Sequence, residues 1–455
     1  MTQSAAAPAA PHAGFVRALG LFDASCLVVG CIVGVGIFRT ASAIASQVTS
    51  PSLILALWLC GGLLSLCGAL CYAELAAMFP KTGGDYIFLT NTYGRFWGFL
   101  FGWTKLFIER TGTIAILGFV FAEYLRRLLQ YGEGTTRCIA AAAVAGLTVV
   151  NIVGIRWGKY VQNVFTALKI TALVSLIAVG LWAWGSGRAL ALNWHAPALG
   201  FPVIQSLGVA LVFVLWTYGG WTEAAYVAEE IADPTRNVPR AITQGLMLTM
   251  LLYLCVNLSY LLFVPIDRLA HTPLVAAAVM QQALGSAGAI FVTVMIACSA
   301  FGALNGYILT GARILFALGQ DHALFASVGT LSPRFHTPML ALILNAAIAI
   351  LLIFTKTFDQ IVTYSTVVIS VFFTLAVCGV MVLRHTQPTA PRPYRAWGYP
   401  VTPVIFILTM LGFILDICQK QPTESMFGFG LLALGLPLYG LSSLLSRRLC
   451  PLARS

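Results

Sequence analysis

Long apolar runs separated by short polar connections divide the chain into twelve segments, at about 19–46, 52–79, 96–125, 138–155, 160–184, 203–229, 241–263, 286–317, 338–354, 359–383, 402–418 and 427–446. Each is near or above the ~20 apolar residues that carry a helix across the hydrocarbon core. The pattern predicts an all-α polytopic membrane protein with twelve transmembrane helices. Two of the runs are interrupted by glycines at the same relative place, Val33-Gly34-Val35-Gly36-Ile37-Phe38 in the first and Tyr218-Gly219-Gly220-Trp221 in the sixth. Glycine is about 1 kcal/mol worse than alanine inside a helix, so the runs predict helices that stop and restart. Backbone freed at bilayer depth is tolerated only where it lines a cavity or is buried in protein. Matching breaks in two halves are the pattern of a secondary transporter with its site near the midplane.

Segments one to five and six to ten each open with an interrupted helix. Five crossings is an odd number, so the second half enters the membrane from the opposite side and the repeat is inverted. The expected organisation is a disordered cytoplasmic tail (1–16), a first repeat (17–184), a second repeat (203–384) and a two-helix appendix (399–448) after a basic, proline-rich loop. The connections 185–202, 264–285 and 318–337 have room for short interfacial helices, and the apolar stretch from Leu274 to Leu284 can dip into the membrane.

Composition agrees with this picture. Apolar residues make up 59% of the 455 and charged residues 9%, with a mean hydropathy of +0.89, which is too little polar surface for a soluble protein. The net charge of +11 reads as topology, because fifteen Lys/Arg fall in the connections on one side and seven on the other. The positive-inside rule then puts both termini in the cytoplasm, against the Arg126, Arg127 and Arg137 cluster and against nucleic-acid binding. The alanine- and proline-rich start, Met1 to Gly14, lacks a basic n-region and predicts no cleavable signal peptide. Most of the eleven cysteines sit in apolar runs as small packing residues. Cys67 and Cys71 share a helix face without a His or acidic companion, so no metal site is expected. Enzyme motifs are missing: no His-Glu-x-x-His, no Gly-x-Ser-x-Gly and no phosphate-binding loop, and no cofactor is expected.

Several residues point to chemistry. The free amides of Val35 and Gly36, opening a half-helix, can hold a carboxylate, and a side chain at Gly36 would fill the carboxylate's space. Close helix packing through small residues is the alternative. Thr222 and Glu223 open the restarted helix and can face a pocket, although Glu223 can also lie near a wet helix end. Lys169 is an ammonium in an apolar helix, which must find acceptors or snorkel toward the surface near Lys159. In the third run Lys105 and Glu109 are four apart and pair along one face, whereas Arg110 needs another partner. Charge compensation competes there with proton movement or gating. Cys298 to Asn305 in the eighth run completes a pocket or simply packs, and Glu229, Glu230 and Arg236 form a cytoplasmic charge cluster.

The Ile32–Phe38 run, the turn Pro80-Lys81-Thr82-Gly83-Gly84-Asp85-Tyr86, the run Trp216–Trp221 and the stretch Glu229-Glu230 with Asp233-Pro234-Thr235-Arg236-Asn237-Val238-Pro239 together resemble the amino acid–polyamine–organocation superfamily. Within it the chain is most similar to bacterial relatives of the L-type amino acid transporters, over about 17–448. The resemblance implies a LeuT-type 5+5 inverted repeat and alternating-access transport of neutral L-amino acids, with cationic amino acids or polyamines, or sensing of an amino acid, as the other readings. It implies that the Gly34-Val35-Gly36 run holds the α-carboxylate side, and that unpaired carbonyls of Ile32, Trp216, Thr217 and Gly219 hold the α-ammonium. The middle position of Gly34-Val35-Gly36 is commonly serine in the family, so valine here leaves amides alone. Trp216 matches an aromatic lid, with interhelical packing as the alternative. Lys169 matches a lysine that fills a sodium ion's place in sodium-independent relatives, leaving proton symport or exchange. Eukaryotic L-type relatives join a helper subunit through a cysteine between the third and fourth helices. The short loop from Arg126 to Arg137 offers only Cys138, so a monomer without a helper is expected in the inner membrane.

Overall fold

The computed structural model describes residues 15–449 except 188, 191, 193, 195–199, 273, 356 and 357, with backbone only at 358–365 and 446–449. The expected N-terminal tail to Gly14, and Arg188, Lys356 and Arg454 from the charge balance, lie outside the described residues. The described chain is helical, and its only extended pairing is a single parallel bridge between Leu19 and Ile231.

Nine helices are long and apolar enough to cross a membrane among the described residues. The first predicted segment is two helices, α1 (Leu21–Ile32) and α2 (Gly36–Ala45). It is followed by α3 (Pro51–Met78) and the short α4 (Asp85–Tyr93). The third segment runs as α5 (Arg95–Thr104), a π-helical stretch Lys105–Glu109 and α6 (Arg110–Leu129). After α7 (Glu133–Val153) and α8 (Ile155–Gly185), the sixth segment is α9 (Phe201–Thr217), a turn, and the single-turn α10 (Glu223–Tyr226). Then follow α11 (Pro234–Phe263), α12 (Ile266–Ala270), α13 (Val275–Asp321), α14 (Met339–Thr355), α15 (Phe358–Thr386), α16 (Val401–Lys420), α17 (Pro422–Ala433) and α18 (Gly435–Leu449). The predicted segments outside the nine long helices correspond to α5–α6, with its charges, and to the shorter apolar helices α9 and α14.

Two differences from the predicted boundaries have a physical cause. The eighth segment is 47 residues long because Val275–Leu284, expected as a separate dipping stretch, joins it through a kink at Gly285 with φ of +70°. The charged part of the third segment is π-helical, a form that recurs at functional sites. The wider π turn keeps Lys105 and Glu109 adjacent, so their pairing survives.

Packing gathers the helices into two buried apolar clusters. One joins both halves of the broken first helix to α3, α11 and the first part of α13. The other joins α5, α6, α7, α14 and the second part of α13. Lipid offers no hydrophobic drive for helices to associate, so close approach of small residues and polar ties carry the packing. A Cβ at Gly245 would meet the Val28 side chain at 2.7 Å, and one at Gly180 would meet Ser259 Oγ at 2.2 Å.

Candidate functional site

The first break spans Val33 to Val35, between α1 and α2. Its carbonyls are taken: Ser299 Oγ donates to those of Val33 (3.1 Å) and Gly34 (2.9 Å), and the amide of Phe38 donates to that of Val35 (3.2 Å). The amides of Val35 and Gly36 have no partner among the described residues, as expected where a helix restarts. The second break differs. The amides of Tyr218 and Gly219 donate to the carbonyls of Val214 and Trp216, while the carbonyls of Tyr218, Gly219 and Trp221 and the amides of Gly220, Trp221 and Thr222 have no partner among the described residues.

The breaks touch backbone to backbone. Gly220 has φ of +106°, where only glycine is at ease, and a Cβ there would meet the Cys31 carbonyl carbon at 2.9 Å and the Ile32 nitrogen at 3.0 Å. Gly36 is closed off by Thr217, whose Cγ2 would lie 2.9 Å from an added Cβ. That corrects one expectation: a side chain at Gly36 meets Thr217 before it meets any ligand. The open glycine is Gly34, where an added Cβ has nothing nearer than two carbonyl oxygens at 4.0 Å.

A second correction concerns the carbonyls expected to be unpaired. Ile32 O accepts from the Gly34 amide (2.7 Å) and from the Tyr253 hydroxyl (2.9 Å). Trp216 O accepts from the Gly219 amide at 3.1 Å, and Thr217 O lies 3.5 Å from Tyr253 Oη. Of the four, only Gly219 keeps its carbonyl free among the described residues. For Ile32 and Thr217 the cause is Tyr253, buried in α11, which no local pattern tied to the breaks, and for Trp216 it is the Gly219 amide of the same turn.

A cavity of about 210 Å³ opens where the breaks meet, lined by Ile32, Gly34, Val35, Gly36, Trp216, Thr217, Gly219, Thr222, Glu223, Lys105, Glu109 and Tyr307 among others. It is smaller than the roughly 300–1,000 Å³ of drug-sized pockets. Trp216 is 38% exposed on its wall, so it is not locked into an interhelical contact. Thr217 Oγ1 is tied to Thr40 (3.1 Å) and to Phe213 O (2.7 Å).

Lys169 stands apart from the cavity wall. Fully buried, it donates to the carbonyl of Gly30, one turn ahead of the first break. It therefore ties α8 to the broken helix and does not snorkel. Beside it, the Thr166 hydroxyl holds Cys26 O at 2.9 Å.

The charges of the third segment find their partners at one end of the cavity. Lys105 Nζ sits 2.7 Å from Glu109 and about 5.4 Å from the ring centres of Phe101 and Tyr226. Arg110 supplies a two-pronged bond to Glu223, at 3.0 and 3.2 Å, and stacks on Tyr307 at 4.8 Å. Thr310 Oγ1 completes the coordination of Glu223 at 2.5 Å, and at 2% exposure Glu223 is buried, not wet. Nearby, the fully buried Asp85 accepts from the hydroxyls of Tyr72 and Tyr226.

The cytoplasmic charge cluster is also rearranged. Glu230 pairs with Arg313 at 2.7 and 3.0 Å, both about 1% exposed, while Arg236 is exposed and Glu229 half-buried. Burial pushes the Glu229 carboxyl upward, opposed by a hydrogen bond from the Thr82 backbone. Arg126 and Arg127, which ran against the charge balance, are both held by Glu123, at 3.0 and 3.6 Å.

Two broken helices that meet over an internal cavity, in a chain of long apolar helices, define a membrane transport protein. The profile of the family described as amino acid permease matches residues 19–432. The chain belongs to that family, in line with its resemblance to bacterial relatives of the L-type transporters. It is 32% identical over 432 residues to the serine/threonine exchanger SteT of Bacillus subtilis, covering 94% of this chain and 97% of the relative. It is 31% identical over 411 residues to the b(0,+)-type amino acid transporter 1 of Mus musculus, covering 89% and 83%. The large neutral amino acids transporter small subunit 2 of Homo sapiens is 29% identical over 432 residues, covering 93% and 80%.

Proposed function

We propose that the chain is a secondary active transporter that moves neutral L-amino acids across the cytoplasmic membrane by alternating access. In this reading the α-carboxylate lies on the free amides of Val35 and Gly36, beside Gly34. The α-ammonium lies toward the free carbonyl of Gly219 and the remaining lone pairs of Ile32, Trp216 and Thr217, with Thr222 on the side-chain wall. The observation that carries it is that around one cavity the first break has its carbonyls taken and its amides free, while the second supplies free carbonyls, because donors facing acceptors fit the carboxylate and ammonium of an α-amino acid. The names of two relatives, an exchanger of serine and threonine and a transporter of large neutral amino acids, support a neutral substrate.

The architecture we infer is twelve transmembrane helices in a 5+5 inverted repeat, residues 17–184 and 203–384, with 399–448 outside it. The three crossings beyond the nine long helices are α5–α6, α9–α10 and α14. Rocking of the cluster led by α1 and α11 against the one led by α6 and α14 would open the cavity to either side. Glu223 on Arg110 and Glu230 on Arg313 are the ties that such a motion breaks or keeps. Trp216 serves as the lid, and Glu109, Glu223 and Lys169 as coupling positions. The lysine's tie to Gly30 supports sodium independence, and both termini are assigned to the cytoplasm from the basic residues.

The transport mode we assign is exchange, with proton symport as the competing outcome. The test is uptake of labelled amino acid by the purified chain alone in proteoliposomes, with empty and preloaded vesicles, with and without sodium and a pH difference. Saturable, sodium-free uptake raised by preloading is expected. Uptake without a second polypeptide supports a monomer that needs no helper, a point worth testing because one relative is named as a small subunit. No uptake of any amino acid would sink the reading, and accumulation driven by the pH difference would replace exchange by symport.

A further inference from the structure

The Lys105–Glu109 pair is the one charged feature of the cavity wall that neither break requires. Its two carboxylate oxygens differ. Glu109 Oε2 is buried against Lys105 Nζ at 2.7 Å, with Arg110 Nε at 3.8 Å. Oε1 has no hydrogen-bond partner among the described residues and is not among the buried unsatisfied atoms, while the side chain as a whole is 13% exposed and lines the cavity. That oxygen is an acceptor without a donor, facing the space where a substrate side chain would lie. One turn further on, Thr113 lines the same wall, and Ser370 faces it from α15.

The charge around Glu109 decides which donor it suits. Lys105 already neutralises it, and the neighbouring Arg110 is neutralised by Glu223, so the site is balanced and a substrate ammonium or guanidinium would add an uncompensated charge. A neutral hydroxyl or amide N–H brings the donor without the charge. Leaving a charged acceptor buried and unsatisfied is costly, so an apolar side chain there would shield Glu109 from water and give nothing back.

We propose that Glu109 Oε1 is a specificity-determining acceptor that selects neutral substrates whose side chain carries a hydrogen-bond donor over apolar substrates of the same shape. The inference rests on the transport reading above and narrows it. Threonine and valine form the sharpest pair, because they differ by a hydroxyl in place of a methyl. A hydrogen bond to a charged partner corresponds to roughly 10–100-fold in affinity.

The experiment measures KM for threonine and valine in the same proteoliposomes. For the wild type, threonine is expected to be preferred about tenfold or more. In the double variant Lys105→Met/Glu109→Leu, which replaces the pair by apolar groups of similar volume, the threonine-to-valine ratio, read by equilibrium binding as well as by KM, should fall to about one or invert, whatever the change in overall transport rate. Glu109→Gln, which keeps the size and an acceptor without the charge, should fall between the two and serves if the double variant is not transported to the membrane. A wild type that handles the two alike, a preference for lysine over threonine, or an unchanged ratio in the variants would overturn the proposal. Absence of uptake for every amino acid in the wild type would instead overturn the transport reading on which it rests.

Discussion

The two helix breaks look alike in sequence, each a pair of glycines in an apolar run, yet the structure uses them differently. At the first, the carbonyls of Ile32, Val33 and Gly34 are bound by Tyr253 and Ser299, and the amides of Val35 and Gly36 are left over. At the second, the amides of Tyr218 and Gly219 are consumed by the carbonyls of Val214 and Trp216, and the carbonyls of Tyr218, Gly219 and Trp221 remain free among the described residues, together with the amides of Gly220, Trp221 and Thr222. A break is therefore given its polarity by what fills it from elsewhere. Two distant hydroxyls make the first break a donor surface, whereas the second, which Tyr253 reaches only at Thr217 O (3.5 Å), keeps free carbonyls beside free amides. The glycines differ in kind too. Gly220 is needed because backbone presses on backbone, whereas Gly34 leaves room.

The largest effect is expected at Gly220. Gly220→Ala places a Cβ 2.9 Å from the Cys31 carbonyl at a φ of +106°, and neither backbone can yield cheaply. Strain of this kind costs roughly 1–3 kcal/mol before the clash is added, so the thermal midpoint in detergent and the transport rate should both collapse. A variant that melts and transports like the wild type would show that the breaks are not pressed together.

Arg110→Leu comes next. It leaves Glu223 buried with Thr310 as its remaining partner, and breaking a buried pair costs roughly 3–5 kcal/mol. Removing both charges, in Arg110→Leu/Glu223→Leu, should restore much of the midpoint, though not the transport rate if the tie also times the conformational change. An equally unstable double variant would assign the loss to packing.

Lys169→Ala should cost less. It removes the donor to Gly30 O, and an unsatisfied buried acceptor is worth roughly 1–3 kcal/mol. The first break would lose its anchor to α8, so sodium-free uptake should fall strongly while the protein still purifies. Full activity of Lys169→Ala, or stimulation of the wild type by sodium, would remove the lysine from the coupling scheme. The smallest effect on stability is expected at Trp216, which is 38% exposed. Trp216→Ala should leave the midpoint nearly unchanged and slow transport of bulky substrates more than it weakens binding, as read by uptake against equilibrium binding.

How much of this was legible in the sequence follows from how local each feature is. The breaks were legible because glycine pairs in an apolar run are a local signal, and the Lys105–Glu109 pair because its spacing is four. The partner of Arg110 was not, since Glu223 is 113 residues away, and neither was the tie from Tyr253 to Ile32 across 221 residues. For the same reason Glu230 was grouped with the neighbouring Arg236, when burial sets it against Arg313 in α13. The π-helical form of the third segment leaves no trace in spacing, because it keeps the same residues adjacent. Ser299 was visible only as part of a small, polar run whose role was undecided between pocket and packing. Its hydroxyl fixes the break while its neighbours pack.

The most direct test of the central claim uses Gly34, where a methyl group adds no clash with protein. Gly34→Ala is compared with the wild type by equilibrium binding of a labelled neutral amino acid to the purified protein, alongside the thermal midpoint of each. If the substrate's carboxylate lies at the first break, the variant should lose about tenfold or more in affinity, the loss of a charge-assisted hydrogen bond, while the midpoint stays within a degree or two. Unchanged affinity in a stable Gly34→Ala protein would contradict the account and place the substrate elsewhere.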